Sequence, residues 1–210
     1  MKLYHILLLA VCTVLFSCNK DNYVPPSATL SGRIIYKGEA IQVEHNQVPF
    51  QLYQYGFGKL GAINGTFAQD GSYSTLLFDG NYKFLVPNGK GPFMWKQTTP
   101  GIPDSISISL KGSQALDIEV MPYYMIRTPQ FSASGGKITA TFKTEKIIVD
   151  ANARDIENVG LYINKTAFVS PADNIAGTTL GGASITDPNN ISLSVNIPAI
   201  VPTQNYVFVR

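Results

Sequence analysis

From Leu30 onward, apolar side chains recur at every second position. Leu30, Gly32, Ile34 and Tyr36 alternate with Ser31, Arg33 and Ile35, a period of two that predicts a strand with one buried face. Val48, Phe50 and Leu52 repeat the pattern, with Gln51 and Tyr53 on the opposite face. Asp70-Gly71 and Asp79-Gly80 supply turns, and Tyr82, Phe84 and Val86 share one face of the strand after the second turn. Ile106, Ile108 and Leu110 alternate with Ser107 and Ser109. After a turn at Lys111-Gly112, Leu116, Ile118 and Val120 alternate with Asp117 and Glu119. Strands of this kind, with no amphipathic helix between them, predict two antiparallel sheets packed face to face.

Pro122 interrupts the ladder just after a completed strand, so Met121-Pro122-Tyr123-Tyr124 predicts the crossing into a second domain. Beyond it the alternation resumes. Ile138, Ala140 and Phe142 are followed by Val159, Leu161 and Ile163, and then by Ile191, Leu193, Val195 and Ile197. The expected fold class is all-β, with two consecutive antiparallel β-sandwiches spanning residues 29–121 and 122–210.

The N-terminal stretch breaks this pattern. Lys2 is followed by an uncharged, mostly apolar run from Ile6 to Phe16, then Ser17 and Cys18. A basic start, an apolar core and a small residue at the cut site form an export signal. Leu15-Phe16-Ser17-Cys18 resembles the lipobox of bacterial lipoproteins. That resemblance implies a signal peptide over residues 1–17 and a lipidated Cys18 as the first mature residue, holding the protein to a membrane. Residues 18–28, polar and carrying Pro25 and Pro26, read as an extended tether.

Charged residues make up 14% of the chain and aromatic residues 11%, which suits an exported β-rich protein rather than a disordered one. The formal charge of +2 falls by one when Lys2 leaves, so no basic field is available to hold nucleic acid. Cys12 leaves with the signal and Cys18 takes the lipid, so packing rather than disulfides must stabilise the mature domains. Outside the signal, no apolar run reaches the roughly 20 residues that span a bilayer.

Thr29-Leu30-Ser31-Gly32-Arg33-Ile34, Gln69-Asp70-Gly71-Ser72-Tyr73 and Asp79-Gly80-Asn81-Tyr82-Lys83-Phe84 together resemble the transthyretin-like, carboxypeptidase-regulatory-type β-sandwich. With the lipobox and Asn88-Gly89-Lys90-Gly91-Pro92-Phe93, the chain is similar to an uncharacterised family of two-domain surface lipoproteins. Members of that family tend to be encoded near Sus-type (starch-utilisation-like) glycan-uptake systems. The resemblance implies an outer-membrane, surface-facing location and a transporter complex or a glycan as partner. Ile200, Pro202 and Tyr206 leading into Val207-Phe208-Val209 resemble the corner before the sixth strand of immunoglobulin-like and fibronectin type III-like sandwiches. The chain stops at Arg210, so a seventh strand is expected to be missing. The edge left there is covered by residues 166–190, belongs to a sandwich that is simply shortened, or is open to a strand from a partner, as in a structural or adhesive module.

Candidate chemistry is sparse. After cleavage His45 is the only histidine, set in a polar loop, and no zinc, nucleophile-elbow or phosphate-loop motif is present. No cofactor and no catalytic residue are expected. Asp70, Asp79, Asp117 and Glu119 read as turn formers and solvated charges, although a carboxylate pair could serve a glycosidase if the fold brought one together. Asp150, Asn152, Asp155 and Glu157 carry oxygen ligands without the spacing of an EF-hand loop. Asp104-Ser105-Ile106 resembles the O-glycosylation acceptor of exported proteins in such bacteria, or opens a strand. Aromatic residues carry the better lead. Tyr53, Tyr55 and Phe57 end a strand among glycines, and Phe93 and Trp95 lie in a Gly-Pro-rich loop. These rings either stack on the apolar faces of sugars or cap the sandwich from within.

Overall fold

The computed structural model describes residues 24–56 and 58–210. The signal segment, Cys18, the start of the tether and Phe57 lie outside the described residues.

The first unit is built from β1 (Ala28–Tyr36), β2 (Glu39–Ala40), β3 (Pro49–Tyr55), β4 (Ala62–Thr66), β5 (Ser72–Leu77) and β6 (Gly80–Leu85). It continues through β7 (Phe93–Met94), β8 (Gln97–Thr99), β9 (Ile102–Pro103), β10 (Ile106–Leu110), β11 (Gln114–Ala115) and β12 (Ile118–Glu119). One sheet is centred on β1, which pairs antiparallel with β2 and β5 and parallel with β11 and β12. The opposing sheet runs β10-β6-β3-β4, antiparallel throughout. Gly32 explains how β1 accommodates its parallel neighbour. A Cβ at this position would collide with the carbonyl of Leu116, which sits between β11 and β12.

Alternation puts Phe50, Leu52, Tyr82, Phe84, Ile108 and Leu110 on the inner side of the second sheet, facing Leu30, Ile34, Tyr73 and Ile118. Phe50 stacks on Phe84 with ring centroids 5.0 Å apart, and Phe67 meets Tyr73 edge-on at 5.7 Å. Such offset and edge-on aromatic pairs add about 0.5–1.5 kcal/mol each beyond the area they bury.

β13 (Met121–Pro122) pairs with β7 and leads into β14 (Tyr124–Ser134). β15 (Lys137–Lys146), β16 (Asn158–Asn164), β17 (Ala176–Gly181), β18 (Ile191–Asn196) and β19 (Phe208–Val209) complete the second unit. Its two sheets, β14-β15-β18 and β17-β16-β19, enclose Ile138, Ala140, Leu161, Ile163, Ile191, Leu193 and Val195. The β14–β15 hairpin turns on Gly135 and Gly136, both at positive φ (58° and 72°), as a two-residue loop of the favoured twist requires. β19 pairs with β16 along one side, and Arg210 exchanges backbone hydrogen bonds with Tyr162 at 2.9 and 2.7 Å. Among the described residues no strand pairs with the other side of β19.

The two units touch at several points. Met125 and Ile147 pack onto the first core. Arg127 bonds Glu39 at 2.5 Å and Glu145 at 2.6 Å, joining β2 of one unit to the β14–β15 pair of the other. Gln69 Nε2 donates to the Ala167 carbonyl at 2.8 Å, and the His45 ring lies 4.3 Å from that of Phe168.

Candidate functional site: the outer face of the β10-β6-β3-β4 sheet

The residues that alternate with the first core form the outer face of the β10-β6-β3-β4 sheet. Tyr53 stands across from Lys83 on one side and Ala62 on the other, and Lys83 in turn faces Ser107. One row further along, Tyr55 faces Asn81 and Asn81 faces Ser109. Two tyrosines two positions apart on one strand are separated by about 7 Å, of the order of one sugar residue. Tyr55 is 54% exposed and Tyr53 is half-buried. The Tyr53 hydroxyl donates to Gln51 Oε1 at 3.0 Å, and Gln51 Nε2 donates to Asn64 Oδ1 at 3.2 Å, which fixes the ring. Lys83 Nζ donates to Ser107 Oγ at 2.5 Å. A depression of about 420 Å³ lies between Tyr55, Asn81, Lys83, Ser107 and Ser109. This face can offer aromatic surface to an apolar sugar face while amides, hydroxyls and an ammonium address the hydroxyl groups.

A larger cleft of about 870 Å³ lies between the Asn88–Pro92 loop, Tyr123 and Tyr124, and the segment from Ala151 to Val159. Two of the aromatic rings that line it, Tyr123 and Tyr124, are engaged by the chain's own cations. The Arg154 guanidinium lies 5.2 Å from the Tyr123 ring, and Lys146 Nζ lies 5.9 Å from that of Tyr124. The Tyr124 hydroxyl donates to the Arg154 carbonyl at 2.8 Å. A third depression, of about 670 Å³ beside β1 and β5, is lined by Arg33, Tyr73 and Asp117. Asp117 and Tyr73 are likewise occupied there. Asp117 Oδ1 accepts from the Arg33 amide at 2.9 Å, and the Tyr73 hydroxyl donates to the Leu116 carbonyl at 2.7 Å. Burial, with the nearby Asp117 charge adding to it, pushes the Tyr73 phenol far above its ordinary range, so it stays a neutral donor.

Of the aromatic residues singled out by sequence, Tyr53 and Tyr55 share the outer sheet face. Phe93 and Trp95 do not join them. They are only 3% and 5% exposed and belong to the first core. Pairing of β7 with β13 draws this Gly-Pro-rich segment inward, and the indole Nε1 donates to the Asp104 carbonyl at 2.7 Å, so the ring presents no free face to a ligand. Asp104 spends its carboxylate on the Ser105 amide at 2.7 Å. His45 is held between the Asn46 amide at 2.9 Å and the Phe168 ring. Asp150 Oδ1 accepts from the Asn152 amide at 2.8 Å, a turn closed on itself, while Asp155 pairs with Lys146. Among the described residues no group of three or more His, Cys, Asp or Glu side chains is placed to hold a metal ion. Cys18 and Phe57 lie outside the described residues.

Asn81, Lys83, Ser107 and Ser109 were not singled out by sequence as parts of a site. The wet face of each strand is legible from its alternation, but their convergence depends on β6 lying between β3 and β10.

Residues 28–121 match the N-terminal domain, and residues 124–210 the C-terminal domain, of a family of proteins of unknown function, DUF3823. The chain belongs to the DUF3823 family. A solved DUF3823 protein from Bacteroides ovatus is 34% identical over 88% of each chain, with a TM-score of 0.73. Another, from Parabacteroides merdae, is 32% identical over 82% of each chain, with a TM-score of 0.70. A proposed carbohydrate binding protein from Bacteroides uniformis shares the fold at 18% identity, covering 81% of this chain and 80% of its own, with a TM-score of 0.64. Among curated proteins none matches the chain.

Proposed function

We propose that this DUF3823 protein is a non-catalytic glycan-binding lipoprotein of the outer membrane, held by lipid on Cys18 and displayed at the cell surface. There it assists glycan capture, or assembly of a Sus-type uptake complex. The observation that carries the reading is the pairing of Tyr53 and Tyr55 on an open sheet face bordered by Asn81, Lys83, Ser107 and Ser109. A rigid sandwich supports these side chains without rearrangement, so little ordering entropy is lost when an extended chain lies across them. The proposed carbohydrate-binding role of a Bacteroides uniformis protein of the same fold agrees with this reading. So does the way several turn carboxylates are engaged. Asp70, Asp79, Asp117 and Asp150 each accept a hydrogen bond from a backbone amide.

The test has two arms. A glycan array probed with purified wild type and Tyr55→Ala protein should show binding that the substitution removes. In cells, wild-type protein should fractionate with the outer membrane and co-purify with transporter components, and Cys18→Ala should release it. Binding that is unchanged by Tyr55→Ala would overturn the site, and a Cys18→Ala protein that stays fully membrane-bound would overturn the anchor.

A further inference from the structure

We propose that the Tyr53–Tyr55 face selects anionic glycans, chains whose sugars carry a carboxylate or a sulfate ester, and that Lys83 reads the anion. The inference rests on the glycan-platform reading of this face and adds the class of sugar.

Lys83 is the only charged residue in the four strands of the sheet. β3, β4 and β10 contribute none, and β6 contributes this one ammonium. Lys83 sits between Tyr53 and Ser107 in the register, so it lies in the same row as an aromatic ring. Among the described residues its ammonium makes one hydrogen bond, to a neutral hydroxyl, Ser107 Oγ, at 2.5 Å. An ammonium has three N–H donors, which leaves two for a ligand.

Four cations elsewhere in the chain are neutralised by carboxylates, and Lys83 is not among them. Arg33 is paired with Asp70, Lys96 with Asp104, Lys146 with Asp155, and Arg127 with Glu39 and Glu145. Lys83 makes no ion pair among the described residues. An anionic ligand would therefore meet an uncompensated charge and would displace no internal partner. Beyond the strand ends at one side of the face, Lys59 after β3 and Lys111 after β10 are exposed and carry the same sign. Asp79, just before β6, accepts from the Gly112 amide at 2.8 Å. A sugar ring resting on Tyr53 would bring a substituent at its edge beside Lys83. A carboxylate or sulfate there gains a charge-assisted hydrogen bond that a hydroxymethyl group cannot match.

The experiment is affinity electrophoresis of the full protein against matched pairs. Galacturonate, glucuronate and mannuronate-guluronate chains are each paired with their carboxyl-reduced neutral counterpart, and a sulfated galactan with its desulfated form. Polyglutamate serves as a non-sugar anion. Wild type should bind at least one anionic chain about three- to fivefold more tightly than its neutral partner, the difference shrinking as salt rises. The carboxylate and sulfate arms show which anion is read. Lys83→Gln should erase the difference between the two members of each pair, and Lys83→Arg should keep it. Equal binding of each pair, still lost in Tyr55→Ala, would overturn the anion preference and leave the platform standing. Retardation by polyglutamate equal to that by the sugars would overturn it as a sugar site. No binding to any chain would overturn the platform reading and this inference together.

Discussion

Tyr53 and Lys83 are direct cross-strand partners on β3 and β6, so an aromatic face and an ammonium lie side by side on the solvent side of a sheet whose other side is packed core. Cross-strand neighbours of this kind lie within about 4.5–5.5 Å at Cβ, close enough for one ligand unit to touch both. Core alternation fixes the two side chains on one face, because Leu52 and Phe84, paired in the next row of the register, point inward.

Trp95 is a stability residue. Trp95→Ala should cost about 3–5 kcal/mol, as for other large core truncations, and should leave the Asp104 carbonyl without its indole donor. Urea unfolding followed by tyrosine fluorescence or circular dichroism measures the loss. Glycan binding by the fraction that remains folded should match wild type. A normal unfolding midpoint with lost binding would show the reverse assignment.

Gly32 is required by packing. Gly32→Ala places a methyl group against the Leu116 carbonyl, where β1 passes from β11 to β12. Over-packing of this sort costs about 1–3 kcal/mol. Gly38→Ala meets nothing within 4 Å, although its φ of 82° adds backbone strain. Amide exchange gives the sharper readout. Gly32→Ala should raise exchange at Leu116 and Arg33, and Gly38→Ala should not.

Asp70 sets part of the acid sensitivity. The Ser72 hydroxyl at 2.6 Å and the Ser72 amide at 3.1 Å, helped less by Arg33, hold its carboxyl below the ordinary value of 3.8. The unfolded chain then binds a proton more readily than the folded one. The stabilisation is therefore fully present above pH 3.8 and is lost as pH falls through the folded-state value. Asp70→Asn should flatten the fall of the urea midpoint with acid below this pH. An unchanged slope would mean that other carboxylates account for it.

The strands were legible because a sheet buried on one face enforces a period of two. Leu30–Tyr36, Val48–Tyr53 and Ile106–Leu110 all carry that pattern. The parallel pairing of β1 with β11 and β12 was not legible, since alternation reports which side of a strand is wet and not which strand lies beside it. The same gap hid the neighbourhood of Lys83. Ser107 and Lys83 are far apart in sequence and meet only through the β10-β6 register. The segment around Trp95 left both readings open for a different reason. Its glycines and prolines signal a loop, yet two residues of pairing between β7 and β13 suffice to turn Phe93 and Trp95 into the core. Tyr53 and Tyr55 could be picked out because large rings at strand positions opposite core residues have nowhere to go but the outer face.

The most direct measurement is isothermal titration of the best-binding oligosaccharide from the array into wild type and into the Tyr53→Ala/Tyr55→Ala double variant, with thermal unfolding of both recorded alongside. Removal of both rings should weaken binding by at least about tenfold, on the scale of one to two aromatic contacts. The unfolding temperature should change little, since Tyr55 is exposed and Tyr53 only half-buried. Wild-type affinity in a well-folded double variant would contradict the assignment of glycan binding to this face.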